Sequence, residues 1–225
     1  MMLEFLEINN FAESDSSQLE NLYTSSFPPV ETRPILKVDE MLKNQSNYHL
    51  FIVKENNSII GFALVYIFLN LNVSLLDYMA MVPTYQRKGI GSKLLHYCIN
   101  ATKSYSSNLI GMLLEIQRDD VDDPVENQKR RDRIKFYARC GAKEFENALY
   151  FIPPQSGKIA EKMYLMIIPY LELDSLPKEK VVSYVKEIHS QIYQYERNDL
   201  NKKTSDNLSN PVKLISPKMN FNIED

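Results

Sequence analysis

The sequence has few of the residues that build metal and disulfide frameworks. Its 225 residues include two cysteines, Cys98 and Cys140, and three histidines, His49, His96 and His189. The cysteines lie far apart and form no C-x-x-C pair, so neither a metal site nor a disulfide scaffold is expected. The scattered histidines read as packing or surface residues. Positive charge is not in surplus either: 26 basic against 29 acidic residues leave a formal net charge of −3. That balance argues against a nucleic-acid partner held by a broad basic surface. No clean apolar run reaches the ~18 residues of a membrane span. The most apolar region, 59–82, is interrupted by Gly61, Asn70, Asn72, Ser74 and Asp77. Its Ile, Val, Phe and Tyr content suits two strands turned around Asn70-Leu71-Asn72. The N-terminus lacks the basic start and long apolar core of a signal peptide. A soluble cytoplasmic protein is therefore expected, with no nucleic-acid or membrane partner. Glycine is scarce, six residues in all, yet Gly89 and Gly91 stand one residue apart.

The length suits one domain, or one domain with an extension. Residues 3–8 read as a strand. Asp15 or Ser16 could cap a helix running toward Ser26, which Phe27-Pro28-Pro29 ends, and residues 33–43 read as a second helix with Pro34 in its first turn. Residues 48–54 and 59–69 form a hairpin turned at Asn56-Asn57, and 75–82 a further strand. A helix over 92–101 presents Leu94, Leu95, Cys98 and Ile99 on one face. Residues 109–116 are almost continuously apolar, as in a strand buried on both faces. An acidic loop over 118–127 leads to a helix over 129–140 that ends at Gly141. Residues 144–152 and 161–168 pair around Pro153-Pro154-Gln155-Ser156-Gly157. Beyond Pro169, the spacing of Val181, Val185, Ile188 and Ile192 predicts an amphipathic helix over about 176–197. A polar, irregular tail follows, either mobile or docked on the core.

The glycine pair belongs to Gln86-Arg87-Lys88-Gly89-Ile90-Gly91, between the 75–82 strand and the 92–101 helix. A glycine-rich turn into a helix start points consecutive N–H groups into one concavity. The helix N-terminus adds partial positive charge, and Arg87 and Lys88 add full charges. Such a loop suits phosphate. The NTPase loop G-x-x-x-x-G-K-[ST] is excluded, because Ser92 intervenes between Gly91 and Lys93. The dinucleotide fingerprint G-x-G-x-x-G is excluded by Leu94 at its third glycine position.

The remaining pattern, Q-x-x-G-x-G after Val82-Pro83 and before Leu94-Leu95, resembles the acetyl-CoA pyrophosphate loop of the GNAT acyltransferases. Leu113-Leu114-Glu115-Ile116 resembles a strand of the ribosomal-protein N-terminal acetyltransferases, the closest subgroup in motif layout. Phe136-Tyr137-Ala138-Arg139-Cys140-Gly141-Ala142 resembles the superfamily's F/Y-Y-x-x-x-G-F segment, with Ala142 where phenylalanine is commoner. The resemblance implies an α/β (α+β) GNAT fold: a central mixed, mostly antiparallel sheet flanked by helices, here with a C-terminal helical extension. Residues 1–169 would form the acyltransferase domain and 170–225 the extension.

It further implies acetyl-CoA as acyl donor, a small-molecule or peptide amine as acceptor, and no metal. A homodimer is one of the assemblies left open. The backbone of Met79, Ala80 and Met81 would pair with the pantetheine arm, an N–H near Met81 polarising the thioester. Gln86, Arg87, Lys88, Gly89, Ile90, Gly91 and Ser92 would hold the pyrophosphate. Tyr137 would protonate the departing thiolate. Glu115 would be the general base, a role its own position supports, since a lone carboxylate in an apolar strand is costly unless paired or used. Asp77 is the rival base. An asparagine that contacts CoA follows the family's glutamate strand closely; here the 118–127 insertion intervenes and Asn127 is the candidate. For the acceptor side, Phe27-Pro28-Pro29-Val30-Glu31, the acidic loop, Tyr150 and Phe151 are candidates. The alternative from another class is a CoA-binding sensor or interaction module without turnover, which thiol release in an amine screen would discriminate.

Overall fold

Two asparagine turns shape the N-terminal sheet. Asn56 and Asn57 adopt φ of 49° and 63°, the left-handed pair whose twist joins strands of a tight hairpin and that asparagine tolerates. They connect β2 (Tyr48–Glu55) to β3 (Ser58–Phe68). A 3₁₀ turn over Leu69–Leu71 closes on Asn72 at φ 57° and leads into β4 (Val73–Met81). The computed structural model describes residues 2–8, 13–27, 33–44, 47–154 and 159–219. They fall into two units, Met1–Leu109 and Ile110–Asp225.

In the first unit β1 (Leu3–Ile8) completes the antiparallel order β1-β2-β3-β4. Every residue of β3 except Ser58 is buried, which explains why 59–82 is so apolar. α1 (Glu13–Ser26) buries Leu19, Leu22 and Tyr23, one stripe at helical spacing, against β3 and β4. It begins ahead of the expected Asp15 or Ser16 caps. α2 (Ile35–Asn44) starts just after Pro34 and packs Val38, Met41 and Leu42 toward β2. α3 (Ile90–Tyr105) buries Leu94, Leu95, Cys98 and Ile99 as expected, together with Ile90 and Thr102. Burying each of these leucine-sized side chains contributes about 1.5–3 kcal/mol.

The second unit contains β5 (Gly111–Gln117), α4 (Pro124–Arg139), β6 (Lys143–Phe145), β7 (Tyr150–Ile152) and β8 (Glu161–Pro169). It continues with β9 (Ser175–Leu176), α5 (Lys178–Glu187), α6 (Asp199–Asn207) and β10 (Val212–Ile215). The strand order is β5-β8-β6-β10-β9, with β7 also on β8. These pairings are antiparallel.

Three expectations change here. The helix expected over 129–140 begins at Pro124. Asp123 caps it, accepting from the N–H groups of Val125 and Glu126 at 2.9 and 3.3 Å. Asp at the cap, Pro at the first position and Glu126 at the third form a helix start, and they shorten the acidic loop. The strand expected over 144–152 is interrupted: Asn147 takes φ 59°, and the Glu146 N–H donates to the Lys213 carbonyl at 2.9 Å. The tail beyond 198 is not irregular throughout. α6 buries Leu200 and Thr204, and β10 buries Val212 and Leu214 while pairing with β6. Such short elements gain their stability from docking and not from propensity, so composition hides them. Val181, Val185, Ile188 and Ile192 are all buried, as their spacing predicted. The helix they build, however, passes from α5 into a π-helical turn over Ile188–Ile192. Among the described residues no helix is long and apolar enough to cross a membrane.

Candidate functional site

Strand β4 runs directly into the glycine loop. Val82 N–H donates to the Ile60 carbonyl at 2.9 Å, and Pro83–Tyr85 forms a 3₁₀ turn. Gln86 then extends, its side-chain amide donating to the Met81 carbonyl at 3.1 Å. This bond ties the loop to the strand end. Arg87 takes φ 59° and Gly89 φ 75°, and α3 begins at Ile90. Ile90 and Gly91 thus belong to the first helical turn, two residues before the expected start at Ser92. Buried Ile90 anchors that turn, while Gln86, Arg87, Lys88 and Gly89 are exposed and Gly91 and Ser92 half-buried.

Gly89, at the N-cap position of α3, offers no side chain to cap its helix. A Cβ built at Gly89 would meet nothing within 4 Å, so the glycine faces open space. Lys88 stands with its ammonium 5.4 Å from the Tyr85 ring, and Tyr85 donates to Glu55 at 2.6 Å. A helix N-terminus whose cap residue is glycine, with two cationic residues just before it, fits an anionic phosphate group.

Upstream on β4, Met79, Ala80 and Met81 pair with Ala63, Phe62 and Gly61 of β3. A Cβ at Gly61 would come within 2.3 Å of the Met81 sulfur, so glycine makes room for that side chain. The register steps from Leu64↔Tyr78 to Val65↔Leu76, leaving Asp77 as the extra residue of a bulge. Asp77 is ion-paired with Arg33, its side chain 5 % exposed. Burial raises its pKa, and the Arg33 guanidinium opposes the rise. The guanidinium carbon also lies 5.1 Å from the Tyr78 ring centre, and the Arg33 N–H donates to the Tyr23 hydroxyl at 2.9 Å. Tyr23 and Phe27 meet the Tyr78 ring edge-on at 5.0 and 5.1 Å. The neighbouring residues 28–32, including the Pro28, Pro29, Val30 and Glu31 considered for the acceptor wall, lie outside the described residues.

In the second unit Glu115 stands near the end of β5, opposite Leu165 of β8. It is half-buried, and two tyrosines reach it. Tyr150, fully buried on β7, donates to Oε1. Tyr193, at the end of the π-helical turn, lies 3.1 Å from both carboxylate oxygens. Burial first, and then the Glu115 charge, push the Tyr150 phenol well above its ordinary value, which keeps it a donor. His189, from the same π turn, stacks on Tyr150 at 5.7 Å and donates from Nε2 to the Phe151 carbonyl at 2.8 Å. Burial holds His189 below the ordinary histidine value.

Tyr137 lies in the last turn of α4, buried to 8 % exposure. Its carbonyl accepts from Ala142, and Gly141 follows at φ 89°. Asn127 is buried, and its side-chain oxygen has no hydrogen-bond partner among the described residues.

The acidic segment before α4 is pinned. Asp119, 1 % exposed, accepts from Tyr164 at 3.1 Å and from Arg131 at 3.4 Å; Asp120 pairs with Arg118 and Glu126 with Arg130. No set of His, Cys, Asp and Glu side chains among the described residues could hold a metal ion.

The candidates thus form two groups. Asp77, Met79, Ala80, Met81 and the 86–92 residues share one strand–loop–helix path. Glu115 gathers Tyr150 and Tyr193, with Tyr137 on the next helix. Sequence reasoning missed Tyr193, because no motif marks it and its approach depends on the π turn.

A family model described as acetyltransferase (GNAT) family matches residues 16–142, more than half of the chain. A search among curated proteins found no match. Solved structures with the same fold include a Bacteroides thetaiotaomicron protein assigned to the GNAT acetyltransferases, with TM-score 0.63 and 23 % identity, covering 84 % of this chain and 98 % of that one. The ribosomal-protein-S18-alanine N-acetyltransferase of Escherichia coli is similar at TM-score 0.52 and 18 % identity, over 76 % of this chain and 96 % of its own. An aminoglycoside 6'-N-acetyltransferase complexed with coenzyme A gives TM-score 0.57 and 16 % identity, over 77 % and 99 %.

Proposed function

This chain belongs to the GNAT family of acetyltransferases, and from that premise we propose that it moves an acetyl group from acetyl-CoA to a primary amine by direct attack on the thioester. The observation that carries this reading is the N-terminus of α3 behind the open, positive-φ Gly89 at its cap position, on a loop bonded back to β4. In this reading the N–H groups of residues 86–92, with Arg87 and Lys88, hold the donor's pyrophosphate. The backbone edge of Met79, Ala80 and Met81 opposite β3 takes the pantetheine arm. Asn127, whose buried side-chain oxygen has no partner among the described residues, is a further contact to the donor.

The amine nitrogen attacks the acetyl carbon and a backbone N–H near Met81 stabilises the oxyanion. The nitrogen's proton goes to Glu115 and the C–S bond breaks. Tyr137 returns a proton to the leaving sulfur. We assign the base to Glu115 in preference to Asp77, whose charge a guanidinium already meets. Residues 1–169 are proposed as the acyltransferase domain, with 170–225 completing the surroundings of Glu115. The similar enzymes named above act on a ribosomal protein and on an aminoglycoside, and the acceptor proposed here is an amine of either size class.

Isothermal calorimetry with acetyl-CoA tests the donor assignment: saturable one-to-one binding is expected, and its absence from folded protein would sink the reading. Thiol release with an amine library then separates turnover from mere CoA binding.

A further inference from the structure

The Glu115 cluster assigns a role to the C-terminal extension. We propose that Tyr193, delivered by the extension's π-helical turn, is a positioning residue for acetyl transfer: with Tyr150 it fixes the Glu115 carboxylate in the orientation from which it takes the acceptor's proton. This role rests on the acetyltransferase reading above.

Three observations carry it. First, Tyr193 reaches both carboxylate oxygens at 3.1 Å, and Tyr150 also donates to one of them. A glutamate side chain has three rotatable bonds, and donors at both oxygens restrict them together. Second, the two phenols donate hydrogen bonds without adding charge. At Asp77 the partner is a guanidinium, and at Asp119 one of the partners is. A phenol donor orients the carboxylate without itself bringing a cation to contact distance. Third, the π turn that places Tyr193 is itself anchored. Its His189 is fully buried, stacks on Tyr150 and bonds to the Phe151 backbone. Single π turns inside helices recur at functional positions, and here the turn delivers a hydroxyl to the carboxylate assigned as base. The ionisable groups facing Glu115 include Tyr150 from β7 and Tyr193 from the extension, with His189 behind Tyr150.

The test compares full-length wild type with Tyr193→Phe, using calorimetry for acetyl-CoA and thiol release against pH with an amine that the wild type accepts. Affinity for acetyl-CoA is expected to stay within about twofold. Turnover is expected to fall about 10- to 100-fold with the amine KM little changed. Because an O–H donor stabilises the ionised carboxylate, its loss moves the acid limb of the profile to higher pH. Tyr150→Phe is expected to move the limb the same way. A fall in turnover with an unmoved limb, or a parallel loss of acetyl-CoA affinity, assigns Tyr193 to folding and overturns the role. Unchanged turnover overturns it as well. A wild type that acetylates no amine refutes the acetyltransferase reading and takes this role with it, whereas wild-type turnover matched by Tyr193→Phe refutes the role alone.

Discussion

In the N-terminal unit the loop residues proposed to hold the donor are mostly exposed and would act through main-chain N–H groups. In the C-terminal unit Glu115 is held by side chains, one of them a fully buried tyrosine. The difference separates what substitution can reach. A backbone site is indifferent to most side chains and sensitive to conformation. A side-chain site fails when a single atom is exchanged.

The sharpest way to break this comparison is at Glu115 itself. Glu115→Gln keeps the shape and removes the proposed base, and turnover is expected to fall about 10²- to 10⁴-fold with acetyl-CoA affinity unchanged. Tyr137→Phe should behave alike, and steady-state kinetics beside calorimetry reads both. The next largest effect lies in the N-terminal unit, at its own side-chain centre. Arg33→Met leaves the Asp77 carboxylate buried without its ion-pair partner, which costs about 3–5 kcal/mol of stability near neutral pH. Burial raises the folded-state pKa of Asp77, and more so once Arg33 is gone. The folded variant then keeps a proton that the unfolded chain releases. Its deficit, measured by denaturant unfolding, therefore grows as pH rises through the folded value and shrinks on acidification. A deficit equal at every pH would assign Arg33 to packing alone.

Gly89→Ala probes the backbone account. The left-handed conformation costs a non-glycine residue about 1–2 kcal/mol whatever the space around it; a free loop that relaxes out of it must regain it on binding, so acetyl-CoA affinity should weaken roughly tenfold. Wild-type affinity in this variant would mean that the donor is not held by the loop's conformation. The smallest expected effect concerns His189, whose pKa burial lowers. The unfolded chain takes up a proton near the ordinary value of about 6.5 while the folded chain refuses it. The stability His189 contributes is therefore present above that value and lost as pH falls below it, toward the folded pKa. His189→Gln should flatten the decline of the unfolding midpoint in that window, and an unaltered slope would remove His189 as its source.

The same division explains what was legible in the sequence. The 86–91 loop, the Asn56-Asn57 turn and the Gly141 helix stop are local signals, each set by the conformation one or two residues permit. The turn and the helix stop stand where the sequence puts them, and the loop does so up to Gly89, where α3 takes over two residues early. The start of α4 was also written locally, in Asp123, Pro124 and Glu126, but the run of acidic residues around it reads as a loop. The break between β6 and β7 was not local at all, since the Lys213 carbonyl that takes the Glu146 N–H comes from far along the chain. Glu115 stood out because a carboxylate in an apolar strand needs a reason. Its partner Tyr193 did not, because 78 residues separate them and the approach depends on a hydrogen-bond pattern that composition does not encode.

That π turn imposes a constraint of counting. Its closing bond spans five residues, from the Tyr193 N–H to the Ile188 carbonyl, so one residue more is spent there than an α-helix would spend. Were the same residues to close as ordinary α-helix instead, everything beyond the turn would be displaced by one residue, a swing of about 100°. The extension would then carry its tyrosine past the carboxylate, much as a frameshift preserves the letters and loses the word.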